Sequence, residues 1–264
     1  MELTGRRVVI TGASRGIGEA LAYSFSAAGA TVALVARSED RIRALASELG
    51  GTAHPADLAD PDEVAGLIGR IESDAGPIDV LVNNAGLDST AGFTDAPDDE
   101  LRRVTEVNYL APAELCRKVI PGMVRRGRGH IVNISSVAGS VVFPGLVTYS
   151  ASKAALSQFT AGLRADLRGL PVRTTLVELG PVPTELLAHT KHYEPTRRSF
   201  DRAYRLRLTV DVPRETVARH VVEAVRHDRR HVRLPKRTAA FPMLAEAPRR
   251  ITEWMLTGIP HRSR

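Results

Sequence analysis

The strongest constraint on the fold is a regular alternation of apolar runs with amphipathic stretches along the 264 residues. Five runs rich in Val, Ile and Leu are bounded by turn residues: RRVVITG, ATVALVAR, PIDVLVNNAG, GHIVNISS and VRTTLVEL. Such runs are typical of strands in a parallel sheet that is covered on both faces. The stretches between them predict helices at about 16–28, 38–49, 60–74, 98–126 and 147–169. Together these features predict a doubly wound α/β sheet with helices on both faces.

The charge distribution sets the C-terminal part of the chain apart from the rest. Residues 1–194 contain 19 Lys and Arg against 23 Asp and Glu, whereas residues 195–264 contain 17 against 7. No internal repeat or low-complexity linker divides the sequence before this change. We therefore predict a single domain over residues 1–230, followed by a basic, partly amphipathic extension over residues 231–264.

The sequence favours a cytoplasmic location. Residues 1–7 lead directly into VVITGAS, without the apolar segment or the cleavage site of a secretory signal. The longest uncharged run, residues 131–152, contains Asn, Pro and several Ser and is too polar to cross a bilayer. The single cysteine, Cys116, excludes an intrachain disulfide framework and a cysteine-rich metal site.

A glycine-rich segment, TGASRGIG at residues 11–18, joins the first predicted strand to the first predicted helix. Gly12, Gly16 and Gly18 permit a tight turn, close approach of the backbone to a pyrophosphate, and packing of the helix on the sheet. The start of the helix offers free N–H groups and a favourable dipole to an anion. The alternative is a glycine-rich turn without a ligand, but the position between strand and helix favours nucleotide binding.

The segment YSASK at residues 149–153 places Tyr149 and Lys153 on one face of a predicted helix, at positions i and i+4. A phenol has a pKa of about 10, and a nearby ammonium favours its ionised form, as acid/base chemistry at a carbonyl requires. Ser136 ends the fifth strand thirteen residues earlier, on the ligand-facing edge of the sheet. Each residue alone has an ordinary structural explanation, such as a surface aromatic or a helix cap. Their occurrence in order beside the glycine segment favours catalysis.

Taken together, the motifs resemble those of the short-chain dehydrogenase/reductase (SDR) family over residues 5–225. The glycines have the spacing G-x-x-x-G-x-G, and NNAG, VNYLAP, SSVAG and YSASK follow in the family's order. The resemblance implies a single-domain Rossmann-type fold and an oxidoreductase that transfers hydride between a nicotinamide and a carbonyl or secondary alcohol. It implies Tyr149 as the acid/base, Lys153 on the nicotinamide ribose, Ser136 on the substrate oxygen, and Asn108 as the holder of a relay water.

The resemblance also implies a set of cofactor-binding positions along the strand ends. The glycine loop would hold the diphosphate, Asp57 and Leu58 the adenine, and NNAG the adenine ribose. The segment ELGPVPTEL would bind the carboxamide of the nicotinamide, although this chain has Leu179 where the family usually has proline. The cofactor-binding prediction therefore comprises Gly12, Ser14, Arg15, Gly16, Ile17, Gly18, Arg37, Asp57, Leu58, Asn84, Ala85, Gly86, Tyr149, Lys153, Val182 and Thr184.

The end of the second strand indicates which cofactor is preferred. An NAD site usually has an acidic residue there to bind the ribose hydroxyls, but this chain has Ala36 followed by Arg37. Arg15 in the glycine loop faces the same place, and two arginines form a suitable clamp for a 2′-phosphate. The alternative is that both are solvated surface charges. We predict NADP(H) in preference to NAD.

Residues 185–212 are predicted to cover the substrate as a flexible loop. Leu186, Leu187 and Phe200 favour a bulky hydrophobic carbonyl or alcohol, whereas Arg197 and Arg198 favour an anionic group, and the two readings stay open. The histidines in the loop lack metal-ligand partners, so no metal site is predicted. A nucleotide-binding scaffold or redox sensor with little turnover is the alternative to an enzyme.

The rest of the surface bears on three kinds of partner: a second copy of the chain, a membrane and a nucleic acid. The predicted helices at 98–126 and 147–169 carry the surfaces that the family uses to form a homodimer or homotetramer. Phe241, Leu244, Ile251, Trp254 and Met255 form an apolar face beside basic residues, which is typical either of packing within the protein or of weak contact with a membrane surface. No stacking platform for nucleic acid is evident.

Overall fold

The computed structural model describes residues 1–190, 192–245 and 247. The described strands are β1 Arg7–Thr11, β2 Thr31–Ala36, β3 Thr52–Pro55, β4 Val80–Asn83, β5 Gly129–Ser136, β6 Val172–Leu179 and β7 His231–Leu234. They form one sheet in the order β3-β2-β1-β4-β5-β6-β7, and every neighbouring pair is parallel. This arrangement confirms the predicted doubly wound sheet.

Helices cover both faces of the sheet because strand residues alternate between two apolar layers. The described helices are α1 Gly16–Ala27, α2 Glu39–Leu49, α3 Pro61–Ala75, α4 Glu100–Thr105, α5 Ala111–Arg125, α6 Val147–Asp166, α7 Glu185–Thr190, α8 Glu194–Arg205 and α9 Arg214–Arg226. Val8 and Ile10 of β1 pack in the layer under α1, α2 and α9, whereas Val9 packs in the layer under α3, α5 and α6. None of the helices in the described ranges is long and apolar enough to cross a membrane.

The strand order places a crevice at the centre of the sheet. From β1 the chain moves outward to β2 and β3, then returns to the other side of β1 to form β4. The connections after β1 and β4 therefore leave the sheet in opposite directions, and a ligand crevice opens at their carboxyl ends. The glycine segment follows β1, NNAG includes the end of β4, and Ser136 ends β5, so all three predicted segments lie at this edge.

The predicted helix at 98–126 is interrupted in the structure. Helix α4 ends at Thr105, a π-helical turn spans Glu106–Leu110, and α5 begins at Ala111. Pro112 has no N–H to donate to the preceding turn, so a continuous α-helical ladder is not available there. Asn108 lies within the π turn and is thereby directed into the protein, where its side chain is buried.

The C-terminal boundary also differs from the prediction. His231–Leu234 is strand β7, which pairs in parallel with β6 and is part of the sheet. The predicted extension from residue 231 therefore begins inside the sheet, because the short HVRL run lacked a neighbouring signal in the sequence. The predicted covering loop at 185–212 contains helices α7 and α8. Of the predicted apolar face, Ile251, Trp254 and Met255 lie outside the described residues.

Candidate active site

A cleft of about 900 Å³ opens at the carboxyl edge of the sheet, beneath α7 and α8. All but two of the predicted site residues line it. These are Gly12, Ser14, Arg15, Gly16, Ile17, Arg37, Asp57, Leu58, Asn84, Ala85, Gly86, Ser136, Tyr149, Lys153, Val182 and Thr184. The two exceptions, Gly18 and Asn108, lie behind the wall and support residues that do line it.

The glycine loop is shaped so that only glycine fits at its critical positions. Gly12 and Gly16 have φ of +65° and +61°, in the left-handed region. A Cβ on Gly18 would lie 2.1 Å from the carbonyl oxygen of Gly12. Helix α1 begins directly after this loop and has no side-chain cap, so its first N–H groups stay available to an anion. The loop therefore fits the diphosphate of a dinucleotide.

The end of β4 holds the glycine loop in place through Thr11 and Asn84. The backbone N–H groups of Asn84 and Ala85 both donate to Thr11 Oγ1, each at 3.0 Å. The Asn84 side-chain amide donates to the carbonyl oxygens of Thr11 at 2.9 Å and Gly12 at 3.3 Å. These bonds fasten the two central strand ends together, so the floor of the cleft is preorganised.

The two predicted phosphate-binding arginines occupy different environments. Arg37 is exposed at the end of β2 on the cleft wall. Arg15 is also on the wall, but its guanidinium forms an ion pair with Glu185, the first residue of α7. Beside them, Asp57 is partly buried, and its Oδ1 accepts a hydrogen bond from Ala59 N at 3.0 Å. The predicted convergence of both arginines would require Arg15 to leave Glu185.

Helix α6 positions Tyr149 and Lys153 over the end of β5. Lys153 Nζ donates to the Ile134 carbonyl oxygen at 3.0 Å and lies 5.9 Å from the centroid of the Tyr149 ring. Ser135 Oγ donates to the Lys153 carbonyl oxygen at 2.9 Å and so fastens the helix to the strand. Lys153 is only 5% exposed, and burial lowers its pKa to about 8.

Ser136 lies at the end of β5, beside the Tyr149 hydroxyl. Its Oγ accepts a hydrogen bond from Ala138 N at 3.1 Å and donates to the Leu179 carbonyl oxygen at 3.2 Å. Burial raises the pKa of Tyr149, a hydrogen bond with Ser136 opposes that rise, and the charge of Asp88 adds to it. The net direction differs from the expectation that Lys153 would lower the pKa, because desolvation is the largest effect on the phenol.

Asn108 braces the region behind the catalytic helix. Its amide accepts a hydrogen bond from Leu87 N at 2.8 Å, and it donates to Leu87 O and to Ser152 Oγ, each at 2.9 Å. Ser152 Oγ in turn donates to the Tyr149 carbonyl oxygen at 2.7 Å. A Cβ on Gly86 would be 3.4 Å from both Asn108 Oδ1 and Lys153 Nζ, so both atoms border the space beside Gly86.

The segment after β6 closes the other side of the cleft. Leu179, in place of the family's proline, stays in the strand, where it pairs with Leu234. Val182 is buried, and Thr184 Oγ1 donates to the Val182 carbonyl oxygen at 3.3 Å. A Cβ on Gly16 would be 3.4 Å from the Thr184 methyl group, so this segment packs against the glycine loop.

One cleft residue, Asp88, was not predicted from the sequence. Asp88, two residues after Gly86, has a side chain only 20% exposed, and its Oδ2 lies 3.9 Å from Nδ1 of His189 on α7. The sequence signal was an acidic residue two positions after NNAG, but its partner His189 is 101 positions away and only the tertiary structure identifies it. Within the described ranges, no group of His, Cys, Asp and Glu has the arrangement of a metal site.

A glycine turn at a helix N-terminus, together with serine, tyrosine and lysine in the same cleft, defines the class of nucleotide-dependent oxidoreductases. The sequence profile of the short chain dehydrogenases matches residues 6–195, and the chain belongs to this family. This confirms the resemblance seen in its motifs.

Known relatives agree in sequence and in structure. A short chain dehydrogenase of Pseudocercospora fijiensis is 38% identical over 192 residues, covering 70% of this chain and 62% of that protein. The chain thus spans less than two thirds of that relative. The structure of a short-chain dehydrogenase from Streptomyces avermitilis has a TM-score of 0.79 at 28% identity and 96% coverage of both chains. A metagenomic short-chain oxidoreductase in complex with NADP has a TM-score of 0.65 at 36% identity, covering 73% of this chain and 91% of that one.

Proposed function

We propose that the protein is an NADP(H)-dependent oxidoreductase that transfers hydride between the nicotinamide and a carbonyl or secondary alcohol. The arrangement of Ser136, Tyr149 and Lys153 at the floor of one cleft, beside the glycine loop, is the observation that carries this proposal. The nicotinamide cofactor supplies or accepts the hydride when bound. The side chains of the cleft bind the substrate oxygen and transfer its proton.

In the reducing direction, the Tyr149 hydroxyl donates its proton to the carbonyl oxygen, and Ser136 Oγ donates a hydrogen bond to the same oxygen. Charge that develops on that oxygen is thus met by two donors from the cleft wall. The Lys153 ammonium favours the phenolate that remains, because opposite charges stabilise each other in a buried site. With its pKa of about 8, Lys153 is mostly protonated at neutral pH. We assign to Asn108, whose Oδ1 borders the same space beside Gly86 as the Lys153 ammonium, the role of holding the water through which the proton is restored.

Exposed basic side chains on the adenosine side support a preference for NADP(H). Arg37 extends from the end of β2, where no acidic side chain is available to bind a ribose diol, since Ala36 precedes it. The metagenomic relative was crystallised with NADP.

Replacing Arg37 with Ala is expected to raise the KM for NADPH by about tenfold or more, because a charge-assisted contact to the phosphate is lost. The KM of Arg37→Ala for NADH is expected to stay unchanged. The matched control is Arg41→Ala, at an exposed position of α2, which is expected to keep the wild-type KM for NADPH. An equal change of KM for both cofactors in Arg37→Ala would contradict the arginine clamp.

The substrate half of the cleft is largely apolar, which supports a bulky hydrophobic carbonyl or alcohol. Phe143 and Phe200 stack with their ring centroids 5.0 Å apart and 6° between planes, and Leu146 and Leu187 line the same region. Arg197 and Arg198 on α8 instead pair with acidic residues of their own helix, Asp201 and Glu194. These local pairs weaken the earlier alternative of an anionic substrate held by the two arginines.

The deciding experiment compares Tyr149→Phe with the wild-type chain. Turnover of a carbonyl substrate with NADPH is expected to fall by about 10²- to 10⁴-fold, because the proton donor is removed, whereas the Kd for NADPH stays within a few-fold. Tyr109→Phe, in the π turn, is the matched control and is expected to retain activity. Tight NADPH binding without turnover by the wild-type chain, combined with a cellular role that survives Tyr149→Phe, would favour a scaffold or sensor instead.

We also infer a homodimer or homotetramer that pairs through α4, α5 and α6. Leu101 on α4, Leu110 in the π turn and Val147 on α6 are exposed apolar residues at 54%, 44% and 52% of their surfaces. Replacing Val147 with Glu is expected to shift the mass measured by light scattering toward the monomer. A mass equal to the monomer in the wild-type chain would overturn this inference.

Weak contact with an anionic membrane surface is supported by exposed apolar residues, two of which, Leu208 and Phe241, also line the cleft. Leu206, Leu208, Phe241 and Leu244 are exposed apolar side chains, and Arg237 Nη1 bonds to the Arg207 carbonyl oxygen at 3.2 Å within the same surface. Sedimentation with anionic vesicles is expected to be stronger than with zwitterionic ones and to weaken in Leu206→Ser. Tyr23→Ser, on the exposed side of α1, is the control, and equal sedimentation of all three proteins would exclude this contact.

A further inference from the structure

Asp88 is a carboxylate held inside the substrate half of the cleft. It follows the NNAG segment, its side chain is only 20% exposed, and it lines the same cavity as Tyr149. Burial is the largest influence on its pKa, which is raised above the ordinary value. Burying a carboxylate costs desolvation free energy unless hydrogen bonds or charges compensate it. The groups that face Asp88 in the cleft therefore indicate its role.

Three groups face Asp88 from the elements around it. His189 approaches from α7, with Nδ1 3.9 Å from Asp88 Oδ2, and Glu100 on α4 raises the Asp88 pKa by repulsion. The charge of Asp88 in turn raises the pKa of the Tyr149 phenol, so the carboxylate lies within electrostatic range of the reacting centre. Within the described ranges, no lysine or arginine lies at ion-pair distance from Asp88. Its hydrogen-bonding capacity is therefore not taken up by a strong cation of the domain.

The cleft that Asp88 lines also has apolar walls. The stacked rings of Phe143 and Phe200 and the side chains of Leu146 and Leu187 line the same cleft. A charged group among apolar side chains determines orientation and specificity, because only a ligand with a matching polar group satisfies it. An ionised carboxylate accepts hydrogen bonds and does not donate them.

We propose that Asp88 selects substrates that carry a hydrogen-bond donor, a hydroxyl or an ammonium group, next to the reacting carbon, with an apolar remainder against Phe143 and Phe200. A carboxylate or phosphate at that position is disfavoured by repulsion. His189, on the covering helix α7, lies beside the Asp88 carboxylate and lines the same cleft. This inference rests on the proposed function and names the substrate class for the same site.

The test is a set of four ketones that share one phenyl ring and differ only in the group attached to the carbonyl: acetophenone, 2-hydroxy-1-phenylethanone, 2-amino-1-phenylethanone and phenylglyoxylate. With wild-type protein and NADPH, kcat/KM for the hydroxyl and ammonium compounds is expected to exceed that for acetophenone by about tenfold to a hundredfold. Phenylglyoxylate is expected to be the poorest. The difference is expected mainly in KM, since Asp88 binds and orients the substrate without exchanging a proton with it.

Variants of Asp88 separate the two kinds of donor. In Asp88→Asn the preference for the ammonium compound is expected to fall to about that for acetophenone, because the charge is gone, while the hydroxyl compound keeps part of its advantage at the amide oxygen. In Asp88→Leu both ratios to acetophenone are expected to fall to about one, and the ratio for phenylglyoxylate is expected to rise. The matched control is Asp98→Asn, an exposed carboxylate in the turn before α4 and outside the cleft lining, which is expected to preserve the wild-type ranking.

Two results would overturn the assignment in different ways. Similar kcat/KM for all four ketones in the wild-type protein, or ratios that Asp88→Leu leaves unchanged, would remove Asp88 as the selecting residue while the reductase itself stands. Absence of turnover with all four ketones, in a protein that binds NADPH, would overturn the proposed function and the Asp88 assignment with it.

Discussion

Arg15, in the glycine loop, forms an ion pair with Glu185, the first residue of α7. The pair connects the cofactor side of the cleft to the helix that covers it. On the same helix, His189 stands one turn after Glu185 and approaches Asp88 from the substrate side. Helix α7 thus contacts both halves of the cleft, and both contacts are electrostatic.

The first prediction follows from competition for Arg15. If Arg15 binds the 2′-phosphate, it must leave Glu185, so Glu185→Gln is expected to lower the KM for NADPH by about twofold to fivefold. The small size follows from the exposure of both side chains, since exposed ion pairs contribute only ~0–1 kcal/mol. The KM of Glu185→Gln for NADH is expected to stay unchanged. The control is Glu39→Gln, which loses a similar exposed ion pair with Arg43 on α2 and is expected to keep the wild-type KM for NADPH. Steady-state kinetics with both cofactors measure this, and an equal shift for NADH would show that Arg15 does not read the phosphate.

The second prediction concerns the buried ammonium of Lys153. Its pKa in the folded protein is about 8, below the ordinary 10.5, so the unfolded chain binds more protons between these values. The free energy of unfolding therefore rises with pH across about 8 to 10.5, and the cost of burying the charge, on the order of 3 kcal/mol, is present below pH 8.

Lys153→Met removes this cost along with activity. At pH 7 the variant is expected to be more stable than wild type, and its advantage is expected to shrink by about 3 kcal/mol as the pH rises to 10.5. Urea unfolding at several pH values measures the difference. An advantage that stays constant across this range would mean that Lys153 titrates normally in the folded protein.

The third prediction uses the glycine loop. Gly18→Ala places a Cβ 2.1 Å from the Gly12 carbonyl oxygen, so α1 must shift away from the loop and NADPH binding is expected to fall by at least about tenfold. Gly162→Ala in α6 is the matched control, because nothing lies within 4 Å of its Cβ position. It is expected to raise the free energy of unfolding by about 0.5–1 kcal/mol. Fluorescence titration measures NADPH binding by Gly18→Ala, and urea unfolding measures the stability of Gly162→Ala. A wild-type NADPH affinity in Gly18→Ala would contradict the close packing of Gly18 against Gly12.

The fourth prediction tests the fastening of β1 to β4. Thr11→Val keeps the shape of the side chain but removes the oxygen that accepts from the N–H groups of Asn84 and Ala85. Loss of this acceptor is expected to lower the free energy of unfolding by about 1–3 kcal/mol and to weaken NADPH binding. Thr31→Val, on neighbouring β2 and only partly buried, is the control and is expected to change stability by less than about 1 kcal/mol. Equal effects of the two variants would argue that the Thr11 bonds are not what holds the loop.

Much of the site was predictable because its signals are local. Gly12, Gly16 and Gly18 follow a strand and open a helix, and backbone geometry at that junction depends on residues only a few positions apart. Tyr149 and Lys153 share a helix face by spacing alone, and the structure brings both to the cleft. The parallel sheet was likewise predictable, since apolar runs of strand length alternate with helical patterns.

Other features depended on the path of the chain in space. The π turn at Glu106–Leu110 interrupts a stretch whose apolar period is continuous, because Pro112 removes a donor that the pattern does not reveal. Strand β7 is a four-residue run whose assignment needs β6 as a neighbour. The raised pKa of Tyr149 follows from burial, which exceeds the effect of its sequence neighbour Lys153.

The sequence by itself determined the sheet, the family and the residues at the strand ends, because strand ends, turns and helix faces are set by short-range periodicity and backbone conformation. Only the tertiary structure decided which charges meet across the cleft. Asp88 and His189 are 101 residues apart and Arg15 and Glu185 are 170 apart. Such pairs depend on how α7 is folded over the edge of the sheet, and no local pattern in the chain carries that information.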